Sequence, residues 1–185
     1  MQMLINSQWV DASDGQRFEV RNPATGELID TAPRGTLQDV QQAVEAAQEG
    51  KRRMSRLPAH ERAAVLFRVA DAIEQNLNSL GELLARENGK PIQQTRDEVR
   101  VTARIFRGFG EEAKRIFGRV LPMDAVPGQE RHLAMTVRQP LGVVAAIVPF
   151  NYPVELYAHK AAAALAAGNA VIAVPYTHLT LPTLS

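Results

Sequence analysis

Two uninterrupted apolar runs, residues 142–148 and 170–174, constrain this chain more than any other feature, because an alanine-rich segment of helical length separates them. Apolar residues without alternation fit a strand covered on both faces. Two such strands joined by a helix over residues 154–167 make one β-α-β unit, which implies a parallel pair and a right-handed crossover. Gly168-Asn169 supplies the stop for that helix. One unit leaves both strands with unpaired edges, so the predicted fold class is α/β with an incomplete sheet.

Upstream, the pattern changes. Residues 4–10 read as a strand, Asp14-Gly15 as a turn, residues 18–21 as an alternating strand and Leu28-Ile29 as part of its return, a small antiparallel meander. Thr36 and Asp39 stand in capping-box spacing, and Leu37, Val40, Val44 and Ala47 follow on one helical face. Pro58 sits at the first turn of a second helix, with Ala63, Leu66, Ala70, Ile73 and Leu77 as its stripe. A third carries Leu80, Leu83 and Leu84 and ends at Asn88-Gly89. The longest begins at Pro91, with the stripe Ile92, Val99, Ala103, Phe106, Gly110, Ala113 and Phe117. Residues 122–128 form a Pro- and Gly-containing loop, and residues 133–138 alternate as a further strand.

Composition narrows the chemistry. With no cysteine, these 185 residues hold no disulfide, no Cys-ligated metal and no thiol nucleophile. A formal net charge of +1 gives no electrostatic case for nucleic acid or an anionic membrane as partner. No apolar stretch reaches the roughly 20 residues of a spanning helix. The first residues lack the basic and apolar regions of a secretion signal, so the expected location is cytoplasmic.

Three patterns invite a functional reading and have a structural one. Gly108-Phe109-Gly110-Glu111-Glu112-Ala113 matches the G-x-G-x-x-G/A dinucleotide pattern in letters, but no strand precedes it and two glutamates would repel a pyrophosphate; close helix packing is the expected use. Arg96, Arg100, Arg104 and Arg107 lie on the same helix among Asp97, Glu98, Glu111 and Glu112, as a solvated, salt-bridged face would. His60, His132, His159 and His178 have no ligand spacing, and no metal site is expected. Asn151 stands apart. It lies where a parallel strand gives way to its crossover helix, the edge at which open α/β sheets bind ligands. There a carboxamide can donate to a developing oxyanion, or it can serve as a helix or turn cap.

At these residues the sequence resembles the aldehyde dehydrogenase family. Asn22-Pro23-Ala24-Thr25-Gly26-Glu27, Glu87-Asn88-Gly89-Lys90-Pro91, Gln139-Pro140-Leu141-Gly142-Val143-Val144, Pro149-Phe150-Asn151-Tyr152-Pro153 and the segment from Lys160 to Gly168-Asn169 occur in the family's order. The resemblance implies that residues 1–175 are the N-terminal part of a Rossmann-type cofactor domain, with an oligomerisation arm starting near 122–141. It implies oxidation of a small-molecule aldehyde to a carboxylic acid with NAD or NADP, in a homo-oligomer. A cysteine thiolate attacks the aldehyde, hydride passes to nicotinamide and a glutamate-activated water releases the acid. Asn151 matches the oxyanion asparagine, and Val148, Pro149, Phe150 and Asn151 match the cofactor-cleft segment.

The departures point to a partial enzyme. The family's ribose-binding lysine is Val174 here, and the cysteine and glutamate base are absent. The chain is therefore expected to be inactive alone; the alternative is a non-catalytic binding or assembly module derived from the family. Residues 176–185, uncharged and without periodicity, are expected to be a non-native tail. Sequencing the source locus across codon 175 checks this: an uninterrupted native frame encoding these ten residues and a stop would overturn it.

Overall fold

A computed structural model describes residues 1–175. The tail expectation for residues 176–185 lies outside the described residues.

The chain opens with two separate hairpins rather than one meander. β1 (Met3–Ile5) pairs antiparallel with β2 (Gln8–Val10), so the expected strand over residues 4–10 is broken. Asn6 and Ser7 between them both have positive φ, 50° and 62°, the conformation a two-residue hairpin turn requires. β3 (Arg17–Arg21) pairs with β4 (Leu28–Pro33).

Four helices follow. α1 (Leu37–Arg56) starts at the expected capping box: Thr36 Oγ1 accepts from the Asp39 amide, and Asp39 accepts from the Thr36 amide at 2.7 Å. That amide, more than any other contact, holds the Asp39 carboxyl below its usual range. The predicted apolar face of α1 is only partly used. Ala47 is buried, whereas Leu37, Val40 and Val44 are exposed.

α2 (Ala59–Gln75) and α3 (Leu77–Asn88) meet at Asn76, which puts Leu77 in the third helix rather than on the stripe of the second. Gly89 ends α3 with φ of 82°, and a Cβ there would sit 2.7 Å from Pro23 Cγ, so the turn needs glycine twice over. α4 (Ile92–Ala113) buries Val99, Ala103, Phe106, Gly110 and Ala113. Phe117 lies past its end and is exposed, which corrects the predicted stripe.

β5 (Val120–Leu121) and β6 (Ala134–Met135) form a two-residue antiparallel ladder, much shorter than the alternation over residues 133–138 suggests. β7 (Val143–Val148), α5 (Pro153–Ala166) and β8 (Ala170–Pro175) give the expected β-α-β unit, with β7 and β8 parallel from Val143↔Ala170 to Val148↔Pro175. Within the described residues they form a sheet of two strands. The expectation of strands buried on both faces is not met: Ala146 and Val148 are buried, but Ala145 and Ile147 are exposed.

α5 is the hub. Its Ala158, Ala161, Ala162 and Ala166 pack with Ala63, Leu66 and Ala70 of α2 and Ala103, Phe106 and Ala113 of α4, while α5 also contacts both strands. Alanine at these positions lets the helix approach both neighbours closely. Its C-terminal end is held by Arg62, whose Nε donates to the Ala166 carbonyl at 2.8 Å, a cation where the helix dipole is negative. The buried Asn169 then ties the strand starts together, accepting from the Gly142 amide at 2.8 Å and donating to the Ala164 carbonyl at 3.1 Å.

Gly108 and Gly110 lie mid-helix in α4, where no phosphate loop exists. A Cβ at Gly110 would stand 2.6 Å from Phe67 Cε1, whereas one at Gly108 meets nothing within 4 Å. Helix packing therefore predicts an asymmetric pair. Helix propensity favours alanine at both positions equally, so Gly110→Ala should be less stable than Gly108→Ala by about 1–3 kcal/mol of overpacking. Urea unfolding of the two variants checks this; equal midpoints would contradict it.

Candidate functional site

The site begins with the five residues that leave β7. Pro149 fixes the backbone after Val148, and Pro153 is the first residue of α5, so the turn between them has little freedom. Three contacts, from the end of α3, the α3–α4 connection and α4 itself, hold it. Asn88 Nδ2 donates to the Phe150 carbonyl at 2.7 Å. Lys90 Nζ lies 3.7 Å from the centroid of the Tyr152 ring. Glu98 Oε1 accepts from the amides of Val154 at 3.0 Å and Glu155 at 3.4 Å, the first turn of α5.

Glu98 corrects the sequence reading most sharply. Expected on a solvated face, it is 2% exposed, and its Oε2 accepts from Lys90 Nζ at 2.7 Å. A buried carboxylate is stable only when its lone pairs are met. Here an ammonium and two amides at a helix N-terminus meet them. The rest of that face follows expectation: Arg107 pairs with Asp71 and Glu74 at 2.7 Å each, Arg96 with Glu82 at 3.4 Å, and Arg100 with Asp97.

Asn151 is exposed at the tip of the turn, between the two residues gripped by Asn88 and Lys90. Its carboxamide makes no hydrogen bond among the described residues, and the residue capping α5, Tyr152, supplies no side-chain cap bond. The structure thus gives no support to the capping role. Glu98 fills it from across the chain.

Beside this turn lies a mostly apolar cleft of about 350 Å³ at the carboxyl ends of β7 and β8, lined by Val148, Phe150, Tyr157, Leu84, Glu87 and Pro175, among others. Of the four expected cleft residues, Val148 and Phe150 line it, while Pro149 and Asn151 do not. Burial raises the pKa of both Glu87 and Tyr157, so the phenol stays neutral and the carboxyl protonates more readily than an ordinary glutamate.

Glu87, Asn88, Lys90 and Glu98 are the residues that sequence reasoning passed over. Four of the five positions 87–91 carry side chains used here or at a helix start, and that density of special residues in one short linker was the available signal. Glu98 gave none, because its partners are 56 and 57 residues away. Among the described residues no group of His, Asp and Glu could hold a metal, and no helix is long and apolar enough to cross a membrane.

A sequence model described as the aldehyde dehydrogenase family matches residues 9–184. Glutarate-semialdehyde dehydrogenase of Pseudomonas putida is 38% identical over 190 residues, which take in 100% of this chain and 38% of the relative. The crystal structure of PnpE in complex with nicotinamide adenine dinucleotide superposes with a TM-score of 0.88 at 38% identity, over 94% of this chain and 35% of that one. NADP-dependent glyceraldehyde-3-phosphate dehydrogenase from Bacillus halodurans, complexed with NADP, gives 0.89 at 37% identity, over 93% and 36%. The chain spans little more than a third of the length of the relatives it matches.

The raised Glu87 pKa yields a test. Because the folded state binds the proton more tightly, Glu87 costs stability progressively as pH rises from the ordinary glutamate value through the higher folded one. Glu87→Gln should therefore be more stable than the parent at neutral pH, with the advantage vanishing below about pH 4. Thermal melts from about pH 4 to 7 measure it, and a constant difference across that range would contradict it.

Proposed function

Since the chain belongs to the aldehyde dehydrogenase family, we propose that it supplies the N-terminal part of an enzyme oxidising a small-molecule aldehyde to a carboxylic acid, with NAD or NADP as acceptor. The observation that carries this reading is Asn151: an unpartnered carboxamide on a tightly held turn at the carboxyl end of a parallel strand. A donor fixed in this way is suited to charge that develops only as the reaction proceeds. We read Asn151 as the oxyanion donor. Residues 1–175 belong to the cofactor-binding portion, and 122–141 begin an arm through which complete subunits associate. The exposed Leu133, Met135, Val137 and Leu141 support the arm assignment.

The strand-end cleft fits part of a dinucleotide: Val148, Phe150 and Tyr157 offer apolar and aromatic surface of the kind a flat heterocycle needs. The α5 N-terminus does not fit the phosphates, because the Glu98 carboxylate already occupies its amides. When bound, the cofactor accepts the hydride. The protein's part is to seat it against Val148 and Phe150 and to aim the Asn151 amide. Without cysteine, the 185 residues contain no thiol to attack the aldehyde, so this chain alone is inactive in our reading.

The test is a hybrid in which residues 1–175 continue into the matching remainder of the Pseudomonas putida relative. It should oxidise glutarate semialdehyde, and Asn151→Ala should lower kcat by about 10²- to 10³-fold with a much smaller change in KM. A kcat within a few-fold of the parent would remove Asn151 from the reaction.

A further inference from the structure

We propose that Glu98 is a positioning residue for Asn151, acting through the N-terminus of α5; the inference rests on the reading of Asn151 as oxyanion donor.

The two oxygens of the carboxylate serve different partners. Oε1 takes the first free amides of α5, at Val154 and Glu155, three and four residues beyond Asn151. Oε2 takes Lys90, whose ammonium also faces the Tyr152 ring, one residue beyond Asn151. One buried side chain therefore sets the start of the helix directly and the residue after Asn151 through a single intermediary. The remaining neighbour, Phe150, is held by Asn88, two residues before Lys90. The three anchors follow one another along the chain: Asn88 ends α3, Lys90 lies in the connection and Glu98 sits in the second turn of α4.

A purely stabilising role would not need this arrangement. Helices are ordinarily capped by a local Ser, Thr, Asp or Asn, at modest cost and with no buried charge. The residue at the cap here is Tyr152, which provides no such bond, although Asn151 immediately precedes it and carries the right kind of side chain. Capping from α4 leaves the Asn151 carboxamide unspent. It also couples the turn to α4, the longest helix of the core, rather than leaving its position to local bonds alone. Near the reacting atoms a small misplacement of a donor lowers the rate steeply, so rigidity delivered from outside the turn has a catalytic use.

Glu98→Gln keeps the shape, removes the charge and turns an amide toward Lys90. In the hybrid enzyme we expect amide hydrogen exchange at Val154 and Glu155 to rise by more than about tenfold, and kcat to fall by about 10- to 100-fold with the aldehyde KM little changed. The same substitution placed in the Asn151→Ala background should cost almost nothing more, since the group it positions is gone. Unchanged exchange at Val154 and Glu155 overturns the proposal. So does an equal loss of kcat with and without Asn151, which would leave Glu98 structural. If Asn151→Ala alone is silent, the oxyanion reading fails first and the proposal falls with it, an outcome distinct from additivity in the cycle. Should Glu98→Gln not fold, Lys90→Met makes the same test from the other side of the pair: loss of kcat that disappears in the Asn151→Ala background supports the proposal, and loss that persists there overturns it.

Discussion

Glu98 joins α4, the α3–α4 connection and the start of α5 through one buried carboxylate. Removing a carboxylate from water costs several kcal/mol, and an exposed ion pair would return at most about one. The site is viable because Lys90 is itself largely buried and because the α5 amides are aligned with the helix dipole. Arg62 does the converse at the other end, presenting a cation to the Leu57 and Ala166 carbonyls. α5 is thus held between opposite charges that match its polarity. The helix in turn spaces the two strands whose ends form the cleft.

The core explains why charges are used for this task. Its contact surface is largely alanine, which permits close approach but offers little shape to fix rotation or register. Phe106 and Tyr157, with ring centroids 6.4 Å apart, and the Gly110–Phe67 contact supply most of the distinctive shape. Directional bonds at both helix termini and at Asn169 add the register that alanine packing leaves undetermined.

Legibility in the sequence followed the range of the interaction. Thr36 with Asp39, Gly89 and the β-α-β unit depend on residues within a few positions or on one continuous pattern, and each was readable. Gly110 was readable as packing, though Phe67 as its partner was not. Asn6-Ser7 was missed because neither residue is glycine, the usual mark of a positive-φ hairpin turn. The continuous apolar character of β7 overstated its burial: Ala145 and Ile147 remain exposed among the described residues. At the candidate site Asn151 was visible from its place after a strand. Glu98 was hidden, since a glutamate beside Asp97 and two residues before Arg100 looks like any solvated helix face. Only the fold brings it to Val154.

The same pair bears on what kind of charge the turn can accept. A free helix N-terminus after a parallel strand attracts a standing anion such as a phosphate. Here that attraction is already satisfied by Glu98, and an uncompensated carboxylate at this depth would repel any negative charge forming nearby. Lys90, 2.7 Å away, cancels that repulsion, so the pair presents little net charge to the turn. What remains is a neutral, unpartnered carboxamide on a rigid support. Such a group binds a resting anion weakly in water, and its donor strength counts once a bound substrate excludes solvent around it. In the proposed reading the buried pair thus leaves the end of the strand suited to transient charge rather than to phosphate, the distinction a donor acting in the transition state requires.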